Sequence, residues 1–223
     1  SNAQISAFPS NTLFSTDQIA NLTTDTISAL STNQISSLSS SDMGVLNTAK
    51  ISALTSQQIV ALDSKQIRAL TTDQLTALTS TQIPAIETAD ILRLTSTQIN
   101  SLTTKQAVAL TTEQIGALDE FKLGKLSTAS ISSLTSDQVA AITTTNIGGL
   151  TSTQLSSFTT TQMTAFETTD IAAMSSTQLR SFTTNQITAL TTTQVASIES
   201  NDIVRLTATQ INSLTTDQLA AVT

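Results

Sequence analysis

Thr55-Ser56-Gln57-Gln58-Ile59-Val60-Ala61-Leu62 is one copy of an eight-residue unit, and Asp63 opens the next copy in the same register. The unit runs without insertion or deletion from Ser15 to Val222, which is 208 residues or 26 octads. Read as a helix start, Thr55 is an N-cap whose hydroxyl accepts from the backbone N–H of N2 or N3. Gln58 at N3 reaches back to the N–H of Thr55 and closes a capping box. Leu54 before the cap and Ile59 at N4 then form a hydrophobic staple that fixes the angle at which chain enters helix. Ser, Thr, Asn or Asp holds the cap position in 23 of the 26 octads, the exceptions being Glu87, Glu167 and Glu199, and Gln holds N3 in 17. Composition alone does not keep such a spacing.

Ile59 and Leu62 are three residues apart and share a helix face, while Leu62 also precedes the cap of the octad at Asp63. One leucine therefore closes one helix and staples the next. The pattern predicts an all-α, single-layer solenoid of about 26 very short helices, one per octad, each of about two turns with a single non-helical cap residue as its corner. A continuous helix fits poorly, because eight residues at about 100° each swing the apolar stripe by roughly 80° per repeat. The alternative is a β-solenoid, since Thr, Ile and Val suit strands. On a strand, however, residues three apart face opposite sides, and with five Gly the chain is poor in the turn residue that short rungs use.

Isolated helices this short do not persist in water, so stability has to come from octads stacked on their neighbours. Ala53, Ala61, Ala69, Ala77 and Ala85, each just before the leucine or isoleucine of its octad, permit close approach between pieces. In domain terms, Ser1-Asn2-Ala3 reads as the remnant of a cleaved tag, residues 4–14 as an irregular entry or cap segment, and 15–223 as one elongated octapeptide-repeat domain. In the entry segment Ile5 and Phe8 keep the three-residue spacing before a turn at Pro9, Ser10 and Asn11. Thr223 starts a 27th octad, so the chain reads as a piece of a longer protein.

Composition limits the partners. A net charge of −7 and a pI near 4.3, with nine scattered Lys and Arg, count against nucleic acid and anionic membranes, both of which need basic patches. No apolar run approaches the roughly 18 residues of a membrane helix, so no membrane insertion is expected. The lack of Cys removes disulfides and is compatible with a secreted or bacterial surface protein.

The departures from the pattern are the places to look for a site. Met43 and Gly44 loosen the octad at Ser39 and suggest a flexible spot, and Pro84 at N5 predicts a distorted piece because it removes a helical N–H. Glu87 takes the cap position with Asp90 at N3 and Arg93 beyond; Glu199, Asp202 and Arg205 repeat this, and Glu167 with Asp170 is a third relative. Such carboxylate pairs can supply ligands to a hard cation such as Ca²⁺, which makes Glu87, Asp90, Glu167, Asp170, Glu199 and Asp202 the candidate metal ligands. Two carboxylates are few for Ca²⁺, and the simpler expectation is that the acids complement the helix dipole while Asp and Arg pair on the surface.

Octads at Asn47, Glu87, Ser127 and Glu167 lack Gln at N3 and lie 40 residues apart, a five-octad higher period, and residues 79–106 match 191–218 as a block duplication. Ala107 replaces the usual Ile and leaves a void unless Val108 turns inward. Phe121 falls at a water-facing position and is the candidate contact residue. Gly148 and Gly149 mark a second weak spot, and Phe158, Phe166, Phe182, Met163 and Met174 read as a wider stretch of core.

The chain has no His, Cys, Trp or Tyr, so the usual general bases, soft-metal ligands and stacking platforms are missing. Glu87 and Asp90 are expected on an exposed helix start with no apolar pocket to raise a pKa; the expectation is therefore no enzyme, no catalytic residue and no cofactor. Two roles fit. One is a structural or interaction array, a spacer, stalk or adhesive scaffold, with its protein or surface ligand unassigned and self-association along the array possible. The other is an ice- or solid-surface binder that uses regularly spaced Thr. In each Thr pair the first residue is committed as a cap, and the second, as in Thr72 or Thr104, is freer.

Leu70-Thr71-Thr72-Asp73-Gln74-Leu75 and Leu110-Thr111-Thr112-Glu113-Gln114-Ile115 carry a pattern that resembles the Thr/Gln-rich octapeptide arrays of very large bacterial surface or secreted proteins. The resemblance covers Ser15 to Val222, with departures at Asn47, Asp119 and Ser127. It implies an extracellular or cell-surface array with spacer or adhesive roles and brings no functional residues with it.

Overall fold

The computed structural model describes Pro9 and residues 14–222. The tag-like residues 1–3, the entry-segment positions Ile5, Phe8, Ser10 and Asn11, and Thr223 lie outside the described residues. Within them, every octad forms one helical piece: 24 α-helices, from Thr16–Asn21 to Thr216–Ala221, and two 3₁₀ turns at Ile83–Ala85 and Ile147–Gly149. No strand occurs among the described residues, so the architecture is all-α and the β-solenoid is set aside.

The helices are shorter and the corners longer than the sequence suggests. Helical pieces contain four to six residues where α-helical, which is less than two turns. The corner is two extended residues rather than one: Leu54 has φ −60° and ψ 138°, and Thr55 has φ −75° and ψ 158°. An N-cap must be extended to turn its hydroxyl back onto N3. The preceding leucine is extended too, while its own N–H still donates to the carbonyl of Ile51 at 3.2 Å.

Three positions of each regular octad are buried. In the copy at Thr55 they are Gln58, Ile59 and Leu62, at 2%, 1% and 4% exposure. The chain divides into two compact units, residues 1–110 and 111–223, and each repeats the same stacking of a helix on the one three octads away. In the first unit Thr24–Ser28 packs on Thr48–Ala53, which packs on Thr72–Ala77; in the second Thr128–Ser133 packs on Ser152–Ser157. This regular packing is that of a helical solenoid.

Local chemistry explains the irregular copies. Pro84 lies inside the 3₁₀ turn Ile83–Ala85, where the tighter ladder tolerates its missing amide. The turn Ile147–Gly149 contains no proline but meets helix Glu120–Leu123 backbone to backbone. A Cβ on Gly149 would lie 1.7 Å from the carbonyl oxygen of Glu120, and one on Gly124 would lie 2.4 Å from that of Gly149. The glycines there serve close approach. Helix Ser40–Val45 is regular across Met43 and Gly44, with Met43 fully buried and Ser39 closing a capping box with Asp42.

Ala107 is fully buried, whereas Val108 is 44% exposed. Val108 does not turn inward, because one residue's step of about 100° puts it on the outer face of a helix whose phase is fixed by its cap. The rings of Phe158 and Phe166 are buried and meet edge to face, 5.0 Å between centroids.

Candidate functional site

The N3 position is where the array concentrates its polar chemistry. Gln58 Oε1 accepts the Thr55 N–H at 2.8 Å, and the Gln58 N–H donates to Thr55 Oγ1 at 3.2 Å, as the capping box requires. The amide nitrogen has a second task. Nε2 donates to the carbonyl oxygens of Ile27 at 2.9 Å and Leu30 at 2.8 Å, 31 and 28 residues earlier. One buried side chain thus caps its own helix and satisfies two C-terminal carbonyls of the turn beneath. Gln66 repeats this on Ile35 and Leu38. In the second unit Gln162 does so on Ile131 and Leu134, and Gln218 on Ile187 and Leu190.

The capping box alone does not reveal this ladder, but the residue choice at N3 does. Glu closes a capping box as well as Gln, yet Gln occupies N3 in 17 octads and Glu in none. Of the two, the amide offers both an acceptor to the cap and a donor to the turn below, whereas an ionised carboxylate only accepts.

Side-chain bonds between turns span 25 to 31 residues, which is between three and four octads. The 40-residue spacing seen in the sequence is therefore longer than one turn and shorter than two.

Copies without Gln solve the same problem with other groups. Lys50 is buried and its Nζ donates to the carbonyl of Ala20 one turn below. Asp42 and Asp90, which are acceptors only, are met instead by hydroxyls 26 residues earlier: Thr16 Oγ1 donates to Asp42 at 2.6 Å, and Ser64 Oγ donates to Asp90. Ser56 Oγ donates to the carbonyl of Thr81 at 3.2 Å. Second-position hydroxyls are thus engaged between turns at Thr16, Ser56 and Ser64, and Thr104 is not without a partner.

The six candidate metal ligands separate by position. Glu87, Glu167 and Glu199 are exposed and make no side-chain cap bond. Each N3 N–H is satisfied by the glutamate's own backbone carbonyl, at 2.8 Å from Asp90, 3.0 Å from Asp170 and 2.8 Å from Asp202. Asp90 is buried, contrary to its expected exposure, and it bonds Ser64 rather than pairing with the exposed Arg93. Asp202 is half-buried. Among the described residues no three His, Cys, Asp or Glu side chains gather into a metal-sized group.

Two N3 carboxyls, Asp42 and Asp170, are shifted from the ordinary range in opposite directions. Burial pushes the Asp42 carboxyl up, but the hydroxyls of Thr16 and Ser39 and the Ser39 N–H together hold it below its usual value. Asp170 is pushed up to about 6, first by burial and then by the charge of Glu167, against a single backbone bond from Glu167. Its Oδ2 is buried without a partner.

Phe121 is 61% exposed, as expected, with the Lys125 ammonium 4.8 Å from the ring centroid. Beside it Lys122 pairs with Asp119 at 3.5 Å. Phe121, Glu120, Lys125 and the three glycines Gly124, Gly148 and Gly149 line an open depression of ≈ 330 Å³. It presents one apolar ring, one carboxylate and one ammonium.

A model of the ALTTAQ repeat matches residues 35–72, 51–85, 83–120, 123–152, 163–198 and 195–223. No curated protein matches the chain.

Proposed function

The chain belongs to the ALTTAQ repeat family, and from that premise we propose that it is a non-enzymatic structural array, a spacer or scaffold segment of a larger bacterial protein acting outside the cell. The observation that carries this reading is the glutamine ladder. Polar capacity that an active site or pocket would use is spent on tying each turn to the one before, and it is spent the same way at copy after copy. The buried Asp90, bonded to Ser64, is likewise withdrawn from the surface. An acidic surface supports solubility and discourages contact with nucleic acid and anionic lipid. No described helix is long and apolar enough to cross a membrane.

A spacer must resist extension. Pulling the intact chain from its two ends in optical tweezers tests this: the expected record is a series of small force rips as turns part from their neighbours. Extension at forces indistinguishable from those of an unfolded chain overturns the reading. The ice- or surface-binding alternative loses support where second-position hydroxyls bond between turns, and thermal hysteresis in a nanolitre osmometer would restore it to first place.

A further inference from the structure

Asp170 stands out because its surroundings are built for a donor. At N3 of the regular octads an amide donates to the carbonyls 31 and 28 residues earlier; for Asp170 these offsets fall on Val139 and Ile142. An ionised carboxylate there adds an acceptor where acceptors already wait. The two other buried aspartates at N3 are rescued by a hydroxyl 26 residues earlier, Thr16 for Asp42 and Ser64 for Asp90. For Asp170 that residue is Thr144, and Thr144 lies in the octad that forms the 3₁₀ turn Ile147–Gly149 in place of an α-helix. No donor reaches Oδ2, in a residue only 2% exposed.

We propose that Asp170 is a proton-dependent tie between turns of the second unit: protonated, its single carboxyl O–H donates toward the Val139 or Ile142 carbonyl, where the glutamine amide of other copies supplies two N–H donors, and on losing the proton it breaks the tie. The charged surroundings are simple. Helix Thr168–Ala173 packs on Thr192–Ala196 and on Ile147–Gly149, and neither segment contains an ionisable side chain. The facing charge is Glu167 on the same octad, which opposes ionisation of Asp170. The sign follows from a folded-state pKa above the ordinary 3.8. The stabilising contribution is complete below about 3.8 and is lost as pH rises through about 6. The array is thereby tightened by acid at this point.

The test is urea unfolding of the intact chain between pH 3.5 and pH 8, wild type against Asp170→Gln, with the carboxyl ¹³C resonance of Asp170 followed in parallel. The glutamine variant installs the residue that 17 of the 26 octads carry at N3, so it is expected to fold. From pH 4 to pH 7 the folding equilibrium constant of the wild type should fall, relative to the variant, by up to about a hundredfold, the consequence of a pKa difference of about two units. The resonance should titrate near pH 6. Parallel pH profiles for the two proteins, or titration of Asp170 below pH 4, overturn the proposal. Stabilisation of the wild type but not the variant by millimolar CaCl₂ at pH 7 also overturns it, because the carboxyl would then be a cation ligand.

Discussion

Gln58 Nε2 donates to the carbonyl oxygen of Ile27 at 2.9 Å across 31 residues of chain, so the residue that starts one helix also finishes another a full turn away. Short helices have as many unsatisfied ends as long ones, and a chain of four- to six-residue helices consists mostly of ends. Capping by local bonds alone leaves the C-terminal carbonyls of each piece facing the buried side of the next turn. The amide of Gln58 closes that gap for Ile27 and Leu30 together.

Gln58→Glu keeps the acceptor for Thr55 and removes the donor, placing a carboxylate against two carbonyls in a buried site. We expect a loss of about 2–4 kcal/mol at pH 7, the cost of placing a charge in a buried site where the Leu30 carbonyl loses its donor while that of Ile27 keeps the Leu30 N–H. Gln58→Lys should lose less, since Lys50 already performs the donor role toward Ala20. Urea denaturation at pH 7 ranks the two; a glutamate variant as stable as the wild type would mean that the long-range bonds contribute nothing.

Caps should behave locally. Thr55→Ala removes the hydroxyl that accepts from Gln58 N–H at 3.2 Å and is expected to cost about 1 kcal/mol, with Thr55→Ser close to neutral. Glu87 supplies no side-chain cap bond, so Glu87→Thr should gain about 0.5–1 kcal/mol by the same principle. Thermal melts of the three variants, followed at 222 nm, are sufficient to check the order.

The helix, its cap and its buried Ile and Leu were legible because each depends on neighbours three or four residues away, as Thr55, Gln58, Ile59 and Leu62 show. The second bond of Gln58 was not, since its partners stand 28 and 31 residues back and nothing in one octad names them. The exclusion of Glu from N3 was the available clue. Asp90 was misplaced for the same reason: on an isolated short helix an N3 carboxylate faces water, and only the turn carrying Ser64 buries it. Gly149 looked like a weak spot until the carbonyl of Glu120, distant in sequence, explained it.

Two glycines should respond oppositely to alanine. At Gly44, in helix Ser40–Val45, an added Cβ meets nothing within 4 Å, so Gly44→Ala should stabilise by about 0.5–1 kcal/mol through helix propensity. At Gly149 the same atom would sit 1.7 Å from the Glu120 carbonyl oxygen. Backbone must move there, and Gly149→Ala should destabilise by about 2 kcal/mol or more. Denaturant midpoints measured side by side give the sign of each; stabilisation at Gly149 would mean that the helix Glu120–Leu123 does not approach so closely.

Thr16 and Asp42 provide the counterpart to Asp170. Burial pushes the Asp42 carboxyl up, while the Thr16 and Ser39 hydroxyls and the Ser39 N–H hold it below 3.8. A depressed folded-state pKa gives stability that is present above the unfolded value and lost as pH falls through the folded one. Thr16→Val removes the 2.6 Å bond but leaves the burial, so the Asp42 pKa should rise in the variant and stability at pH 7 should drop by about 1–2 kcal/mol. The Asp42 carboxyl ¹³C titration reads the first effect and urea denaturation at pH 7 the second. Acidification below pH 4 should narrow the gap between the two proteins, because a protonated Asp42 no longer depends on the Thr16 donor to offset a buried charge. An unchanged Asp42 titration in Thr16→Val would show that the Ser39 contacts alone hold that carboxyl down.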